Sequence, residues 1–308
     1  MNFDKLIKDL SKVIGVEDQK VTGGLRCSTY TLNNRNKKAV VQIYLENTKY
    51  QARKKTDISN LLNKDCQYIP EILAFDENGD SAYLITEYKE GRTLSQIRAI
   101  DKNFSLEYIA DEIAETLNII HNIKNKNGYG WIGDNGVIEY IKFEDYIKSE
   151  IERLSNAYNS LDESVILKIN KKSEKALEII RKETISSPVL CWYDINPENI
   201  LITKQDNEYK LSGFLDPGGA RYGIPEWDFA FLKLELCKNQ KEYDKILEKY
   251  KEKGNSINEN LVDALSVFVE MDDIAIQIND KIIFDIPYSS DFKEELKQLH
   301  EKIQAEGT

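Results

Sequence analysis

The stretch Cys191-Trp-Tyr-Asp-Ile-Asn-Pro-Glu-Asn-Ile-Leu-Ile202, followed by Leu211-Ser-Gly-Phe-Leu-Asp216, decides how this chain is read. It sets Asp194, then Asn199, then Asp216 around two short apolar runs. Phosphoryl transfer calls for such a set: one carboxylate orients the attacking hydroxyl, while an amide oxygen and a second carboxylate hold Mg²⁺ on nucleotide phosphates. Alone, an Asp ahead of Asn196-Pro197 reads as a turn cap. The company of Asn199, the flanking apolar runs and Asp216 favours a catalytic loop instead. Asn199 and Asp216 also suit Mg²⁺ as ligands, since that ion takes few protein oxygens and keeps the rest for phosphate and water.

Outward from this segment the chain has two characters. Residues 3–14 show helical spacing, with Leu6, Ile7, Leu10, Val13 and Ile14 on one face. Lys20-Val-Thr-Gly-Gly-Leu-Arg-Cys-Ser-Thr-Tyr-Thr-Leu32 reads as two strands around a Gly-Gly turn, and Asn33-Asn-Arg-Asn36 as the next hairpin. Lys38-Ala-Val-Val-Gln-Ile-Tyr-Leu45 is a third strand, 48–63 a helix, and Leu73 to Tyr88 two strands around Glu77-Asn-Gly-Asp80. Beyond Gly91 helical periodicity dominates, at 105–124, 143–158, 163–182, 226–238, 240–252, 257–270 and 291–304, with short strands at 188–192, 200–203 and 208–215. The expectation is an α+β, bilobal, protein-kinase-like fold. Residues 1–88 would form a small antiparallel-sheet lobe and 89–308 a larger, mainly helical lobe, with nucleotide between them.

Composition sets limits. At 308 residues, 41% hydrophobic and 31% charged, the chain suits an ordinary globular protein. No run approaches the roughly 18 apolar residues of a membrane span. The N-terminus mixes charged and apolar residues and lacks the plan of a secretory signal. Cys27, Cys66, Cys191 and Cys237 are widely separated, so neither a disulfide framework nor a zinc site is expected, and the compartment reads as cytoplasm. A formal net charge of −11 argues against a nucleic-acid partner and is compatible with a cationic small acceptor or with simple solubility.

The run Leu215-Asp-Pro-Gly-Gly-Ala-Arg-Tyr-Gly-Ile-Pro-Glu-Trp-Asp-Phe-Ala230 closely resembles the aminoglycoside phosphotransferase family, related to choline and fructosamine kinases. The loop from Asp194 to Asn199 resembles it too. So does Gly23-Gly-Leu-Arg-Cys-Ser-Thr-Tyr30, similar to the family's phosphate-covering turn. The likeness spans roughly residues 17–270. It implies Mg²⁺-dependent transfer of phosphoryl from ATP or GTP to a hydroxyl of a small molecule. It further implies Asp194 as catalytic base, Asn199 and Asp216 as metal ligands, and Asp228 as a structural support of the catalytic loop; an Asp opening an apolar helix suits that last role. Gly23, Gly24 and Ser28 would cover the phosphates. Leu84-Ile-Thr-Glu-Tyr-Lys-Glu-Gly91 looks like a hinge, where the backbone of Glu87 and Tyr88 meets the base, although a buried edge strand would read the same way.

Three positions depart from the family. Val40 would roof the base, but Gln42, on the same strand face, stands where kinases put a phosphate-contacting Lys. Lys55 stands near the place of the partner Glu on the helix, with Asp57 the alternative if register slips. Either the cation has moved to the helix, as Lys54 or Lys55, or these are surface lysines. Trp192-Tyr193 replaces the usual His-Gly, and Cys27 stands where Asn is common. One lost electrostatic contact costs about 10²–10³ in rate, small beside accelerations of about 10⁶ or more, so a compensated kinase is favoured over an inert one.

On the acceptor side, Trp131 is either a cleft residue or a loop anchor. Glu226, Glu270, Asp272 and Asp273 are candidates to receive substrate ammonium groups, against the plainer reading of a solvated helix end. His121 reads as a packed helix residue and His300 as solvated. The functional expectation is a small-molecule O-phosphotransferase acting on a cationic hydroxylated compound. The alternative is a pseudokinase that binds nucleotide or ligand with little turnover. A protein kinase ranks last, for want of an Ala-Pro-Glu segment after Asp216.

Overall fold

The computed structural model describes residues 18–23, 27–34, 37–45, 48–62, 64–79, 81–132, 140–157 and 163–284, together with Lys5, Leu6, Lys8 and Asp9. The expected helix at 291–304 and the turn residue Gly24 lie outside the described residues, as does most of the expected first helix.

Five strands build the first sheet: β1 (Asp18–Gly23), β2 (Ser28–Asn34), β3 (Lys37–Leu45), β4 (Ile72–Asn78) and β5 (Ser81–Glu87). Their order is β1-β2-β3-β5-β4, every pairing antiparallel. Strand alternation sorts the side chains. On one face Leu32, Ala39, Val41, Tyr83 and Ile85 pack with Leu6. On the other, Tyr44, Ala82 and Leu84 pack with Ala52 of helix α1 (Lys49–Leu62). The even-numbered positions Val40 and Gln42 share this second face and look into a cleft.

Helix α1 belongs to both halves of the molecule. Ala52 sits in the sheet cluster, whereas Ile58 and Leu62, about two and three turns on, join the large core. That core runs through α3 (Ala110–His121), α4 (Phe143–Ala157), α5 (Glu163–Lys182), α6 (Glu226–Phe231), α7 (Gln240–Glu252) and α8 (Glu259–Phe284). A short helix α2 (Leu94–Ile100), which periodicity does not reveal, opens the larger half. Its start carries a capping box: Gln96 N–H donates to Thr93, and Thr93 N–H donates to Gln96 Oε1 at 3.2 Å. The expected helix at 226–238 changes character, with a π-helical segment at Leu232–Leu236.

Two small sheets complete the fold. In one, β6 (Arg92–Thr93) pairs with β9 (Ile200–Gln205), which pairs with β10 (Glu208–Phe214). In the other, β11 (Arg221–Gly223) lies between β7 (Gly130–Trp131) and β8 (Val189–Cys191). The β9–β10 hairpin turns on Asp206 and Asn207, both left-handed with φ of 50° and 66°. Two consecutive positive φ values match the natural twist of a two-residue hairpin, and Asp and Asn tolerate them best after Gly. A tight hairpin returns the chain to its starting point. Leu215 N–H therefore donates to Asn199 O at 2.7 Å, and Asp216 arrives beside Asn199.

The crossing from the first sheet to the helical half passes through Gly91, at φ 145°. A Cβ there would lie 2.6 Å from Ser212 Oγ and 3.0 Å from Ile202 O. Gly91→Ala combines an unfavourable backbone region with overpacking and should cost about 2–4 kcal/mol, read as a lower urea midpoint with an unchanged slope.

Candidate active site

A cleft of about 560 Å³ lies between the sheet and the helical half, within the size range of small-ligand sites. Val40 and Leu84 line it from the sheet, and Leu201 and Leu215 from the β9–β10 hairpin. These four apolar side chains make a slot. In the sequence Leu201 and Leu215 read only as members of the two short apolar runs. Glu87 and Tyr88 line the same cleft, as do Gln42, Lys55, Asn199 and Asp216. Glu87 N–H is committed to Glu71 O at 2.8 Å. Ser28 is exposed at the start of β2, paired with Gly23 at the end of β1, and is not among the cleft-lining residues.

Asp194 follows a loop bent by force. Tyr193 has φ 71°, a left-handed conformation costly for a bulky residue. The buried Asp228 carboxylate holds the bend: it accepts from Trp192 N–H at 2.8 Å and Tyr193 N–H at 2.7 Å. His121 Nε2 lies 3.0 Å from the same carboxylate, and His121 Nδ1 lies 2.7 Å from Tyr250 Oη. His121 is a packed helix residue, as read from the sequence, and it also contacts the loop's support. Cys191 stands close to His121 and Asp228, but Asp228 is engaged by backbone donors and the Cys191 thiol donates to Ile224 O at 3.2 Å.

After the bend, Asp194 Oδ1 accepts from Asn196 Nδ2 at 2.6 Å. Asn199 Nδ2 donates to Asp194 O at 3.1 Å, which turns the amide oxygen of Asn199 outward as an acceptor. Burial pushes the Asp194 carboxyl above the usual carboxylate range; the nearby Asp216 charge adds to the rise, and the hydrogen bonds from Asn196 and Asn199 oppose it. Asp216 also has a left-handed backbone, φ 59°, and its carboxylate accepts from Gly218 N–H at 3.1 Å. Lys55 Nζ lies 2.8 Å from Asp216 Oδ1. The donor set of amide oxygen and carboxylate, next to a second carboxylate, fits Mg²⁺.

Position 42 is Gln among neutral partners. Tyr44 Oη donates to Gln42 Oε1 at 2.9 Å, and Gln42 Nε2 lies 3.6 Å from Cys27 Sγ. Lys54 and Lys55 are both buried, not surface lysines, and Asp57 is exposed. Adjacent residues on a helix point about 100° apart. Lys55 thus reaches Asp216, whereas Lys54 Nζ sits 5.3 Å from the Trp131 ring centroid. Burial, and then the neighbouring Arg221 charge, lower the Lys54 pKa to about 7.

The acceptor-side candidates come out differently from their reading as free acids. Trp131 is half-buried and donates Nε1–H to Glu150 Oε1 at 2.9 Å, while the Arg221 guanidinium lies 3.3 Å from its ring centroid and 3.0 Å from that of Tyr193. Asp272 is ion-paired with Arg153, which also meets Glu150 at 2.9 Å. Glu270 is 3.0 Å from Lys172. Glu226 does not face the cleft: its Oε1 accepts from Asn258 N–H at 3.1 Å, inside the helical core. Nothing is described of the Asp273 side chain. Of the two bulky replacements before Asp194, Trp192 turns into the core and donates Nε1–H to Leu215 O at 3.2 Å, so only Tyr193 faces the Trp131 side.

A sheet lobe over a helical lobe, with an amide and an acid lining the cleft between them and a second acid beside the amide, is the architecture of protein-kinase-like phosphotransferases. Residues 18–254 match the family model described as the phosphotransferase enzyme family, and the chain belongs to that family. It is a phosphotransferase with an alcohol group as acceptor. No curated protein matches it in sequence. Among solved structures it is similar to a thermostable mutant of aminoglycoside phosphotransferase APH(4)-Ia in ternary complex with AMP-PNP and hygromycin B, at 16% identity and a TM-score of 0.71, over 97% of this chain and 98% of that one. It is also similar to choline kinase LicA from Streptococcus pneumoniae, at 16% identity and a TM-score of 0.70, over 98% of both chains. A third is the gentamicin complex of APH(2″)-IIa, at 18% identity and a TM-score of 0.64, over 97% of this chain and 95% of that one. At such identities these likenesses establish the fold.

Asp228→Asn replaces one acceptor by an NH₂ facing an N–H. The variant should lose about 2 kcal/mol or more in urea unfolding, because a buried donor is left unpaired.

Proposed function

We propose that this chain is a Mg²⁺-dependent nucleotide:small-molecule O-phosphotransferase. The observation that carries the reading is that Asn199 and Asp216 line a slot with Val40, Leu84, Leu201 and Leu215, with Asp194 held beside them by its hydrogen bond to Asn199. The base of ATP or GTP would lie in the slot, against the Glu87 carbonyl and the Tyr88 amide. Mg²⁺ held by the Asn199 amide oxygen and the Asp216 carboxylate would neutralise charge on the transferring phosphoryl. Asp194 accepts the hydrogen bond of the acceptor hydroxyl and takes its proton as the oxygen attacks. Asn196 fixes the carboxylate that does so. Gly23, Gly24 and Ser28 are proposed to close over the phosphates.

The proposed acceptor is a hydroxylated, amine-bearing compound of the aminoglycoside kind. The net charge of −11 supports it, as do the hygromycin B and gentamicin bound in two of the similar structures. Asp272 and Glu270 enter this reading by exchange: a substrate ammonium takes the place of Arg153 or Lys172. Asp273 and Trp131 are proposed to stand beside them, and Glu226 to act only by supporting the start of α8. No described helix is long and apolar enough to cross a membrane, and the proposed site of action is the cytoplasm, where nucleotide is at hand. A second reading, nucleotide binding with little turnover, is favoured by Gln42, which offers no charge to a phosphate.

Turnover of Mg²⁺-nucleotide over a panel of aminoglycosides, choline-like alcohols and sugars separates the two readings. Asp194→Asn should lower kcat about 10²–10⁴-fold with nucleotide affinity retained; unchanged turnover would remove Asp194 from its role. The acid limb of kcat/KM should lie above the ordinary Asp value of 3.8. A raised pKa means that the working carboxylate is lost early as pH falls. Asn196→Ala removes a hydrogen bond that favours the ionised form, so it should move that limb to still higher pH.

A further inference from the structure

Resting on the nucleotide site just proposed, we infer that Lys55, carried by helix α1, supplies the phosphates with the positive charge that Gln42 of strand β3 cannot. The usual kinase arrangement pairs a Lys on this strand with a Glu on this helix. Here the charge has crossed from strand to helix, and the strand residue has become a neutral spacer.

Position, burial and the surroundings of both residues carry the exchange. Lys55 and Gln42 line the same cleft, and Lys55 Nζ stands 2.8 Å from Asp216 Oδ1. An ammonium at that point is within reach of any phosphate oxygen that shares a metal with Asp216. The Lys55 side chain is only 9% exposed. Burying a lone ammonium is costly, and its position is therefore fixed by its partner, whereas a surface lysine samples many rotamers.

The path of its stem is also built. Its ammonium lies 5.5 Å from the centroid of the Tyr44 ring, and a Cβ added to Gly218 would come within 3.0 Å of Lys55 Cε. Pro217-Gly-Gly219 after Asp216 thus leaves room for a lysine arriving from the helix. The strand side is arranged for a neutral residue. Gln42 has the Tyr44 hydroxyl on its oxygen and the Cys27 sulfur near its nitrogen, and among the described residues no acid bonds to either end. A Lys at 42 would face Lys55 across Tyr44, two like charges in one small volume. Lys54 does not compete for the role, because it is turned onto Trp131. Gln42 and Lys55 are consequently read together: a neutral residue on the strand, and the cation on the helix beside it.

The test uses full-length protein and direct binding, with ATP and GTP set against adenosine and guanosine. Nucleosides occupy the base slot without phosphates, so they report the slot alone. Isothermal titration is run on the wild type, Lys55→Met, Lys55→Arg, Gln42→Lys and the Gln42→Lys/Lys55→Met double variant, with thermal unfolding to verify the fold of each. Lys55→Met should weaken the preferred triphosphate about 10–100-fold, the loss of one charge-assisted contact, and leave nucleoside affinity within about twofold. Lys55→Arg should retain most of the affinity. The double variant should recover most of what Lys55→Met loses, since it returns the cation to the strand.

Triphosphate binding by Lys55→Met within about twofold of wild type would overturn the inference. So would a parallel loss of nucleoside and triphosphate in a folded protein, which would make Lys55 a support of the slot. If wild type binds neither triphosphate nor nucleoside, the nucleotide site itself falls. If wild type binds them and turns over no acceptor, the catalytic reading falls and Lys55 keeps its place.

Discussion

One buried carboxylate governs the geometry of the site. Asp228 has no exposed surface and lies deep among aromatic side chains. It takes the N–H groups of two successive residues, Trp192 and Tyr193. Two adjacent amides can converge on one carboxylate only if the chain between them curls, and the left-handed backbone of Tyr193 is that curl. The conformation is unfavourable for a tyrosine, so the hydrogen bonds must outweigh it. The next residue is Asp194. Its side chain is aimed by a strain that Asp228 holds in place, and the His121–Tyr250 pair extends the anchoring into α3 and α7.

The second requirement is that three oxygen groups from distant positions meet. The hairpin solves this without long-range packing. Asn199 precedes β9 and Asp216 follows β10, and the two-residue turn at Asp206-Asn207 makes those ends adjacent. Trp192 fastens the catalytic loop to the same place through the Leu215 carbonyl. Helix α1 then brings the fourth member. Because its first half packs on the sheet and its second half on the large core, Lys55 sits where the two halves meet. A shift of the sheet relative to the core would move the Lys55 ammonium relative to Asp216.

The parts that could be read in the sequence are those set by local pattern. Strands β1 to β5, helix α1 and helix α5 announce themselves by alternation or periodicity, and their ends are marked by Gly, Asn or Pro. The approach of Asn199 to Asp216 is legible because the two flank one hairpin, and that of Asp194 to Asn199 because they share one short loop. Helix α2 has only seven residues, too few for periodicity, yet Thr93 and Gln96 spell its cap. The ion pairs of the proposed acceptor side are not legible, for a different reason. Asp272 meets Arg153 and Glu270 meets Lys172 across more than ninety residues of chain. A sequence shows that an acid is present at a helix end; it does not show which cation comes to meet it. Arg221 escaped notice in the same way, since nothing near it in the sequence reveals that Trp131 and Tyr193 enclose its guanidinium.

The charges of the two sides of the site follow from this. Near the proposed phosphates, Lys55 stands against Asp216, with Asp194 close enough for its proton affinity to feel both. Toward Trp131, the cations Lys54, Arg153 and Arg221 gather around one indole, and Glu150 and Asp272 answer two of them. On the proposed acceptor reading, discrimination would rest on exchange and not on vacant acids, because Asp272 already has Arg153 as its partner. A polyamine would gain from Asp272 only what it offers beyond Arg153, and an acceptor with fewer charges would forgo that exchange and leave the resident pairs intact. A contest between ligand and side chain for the same carboxylate would make selectivity depend on the geometry of several ammonium groups at once. Under that proposal the total charge of an acceptor would be a poorer guide to its fit than the spacing of its amines and hydroxyls.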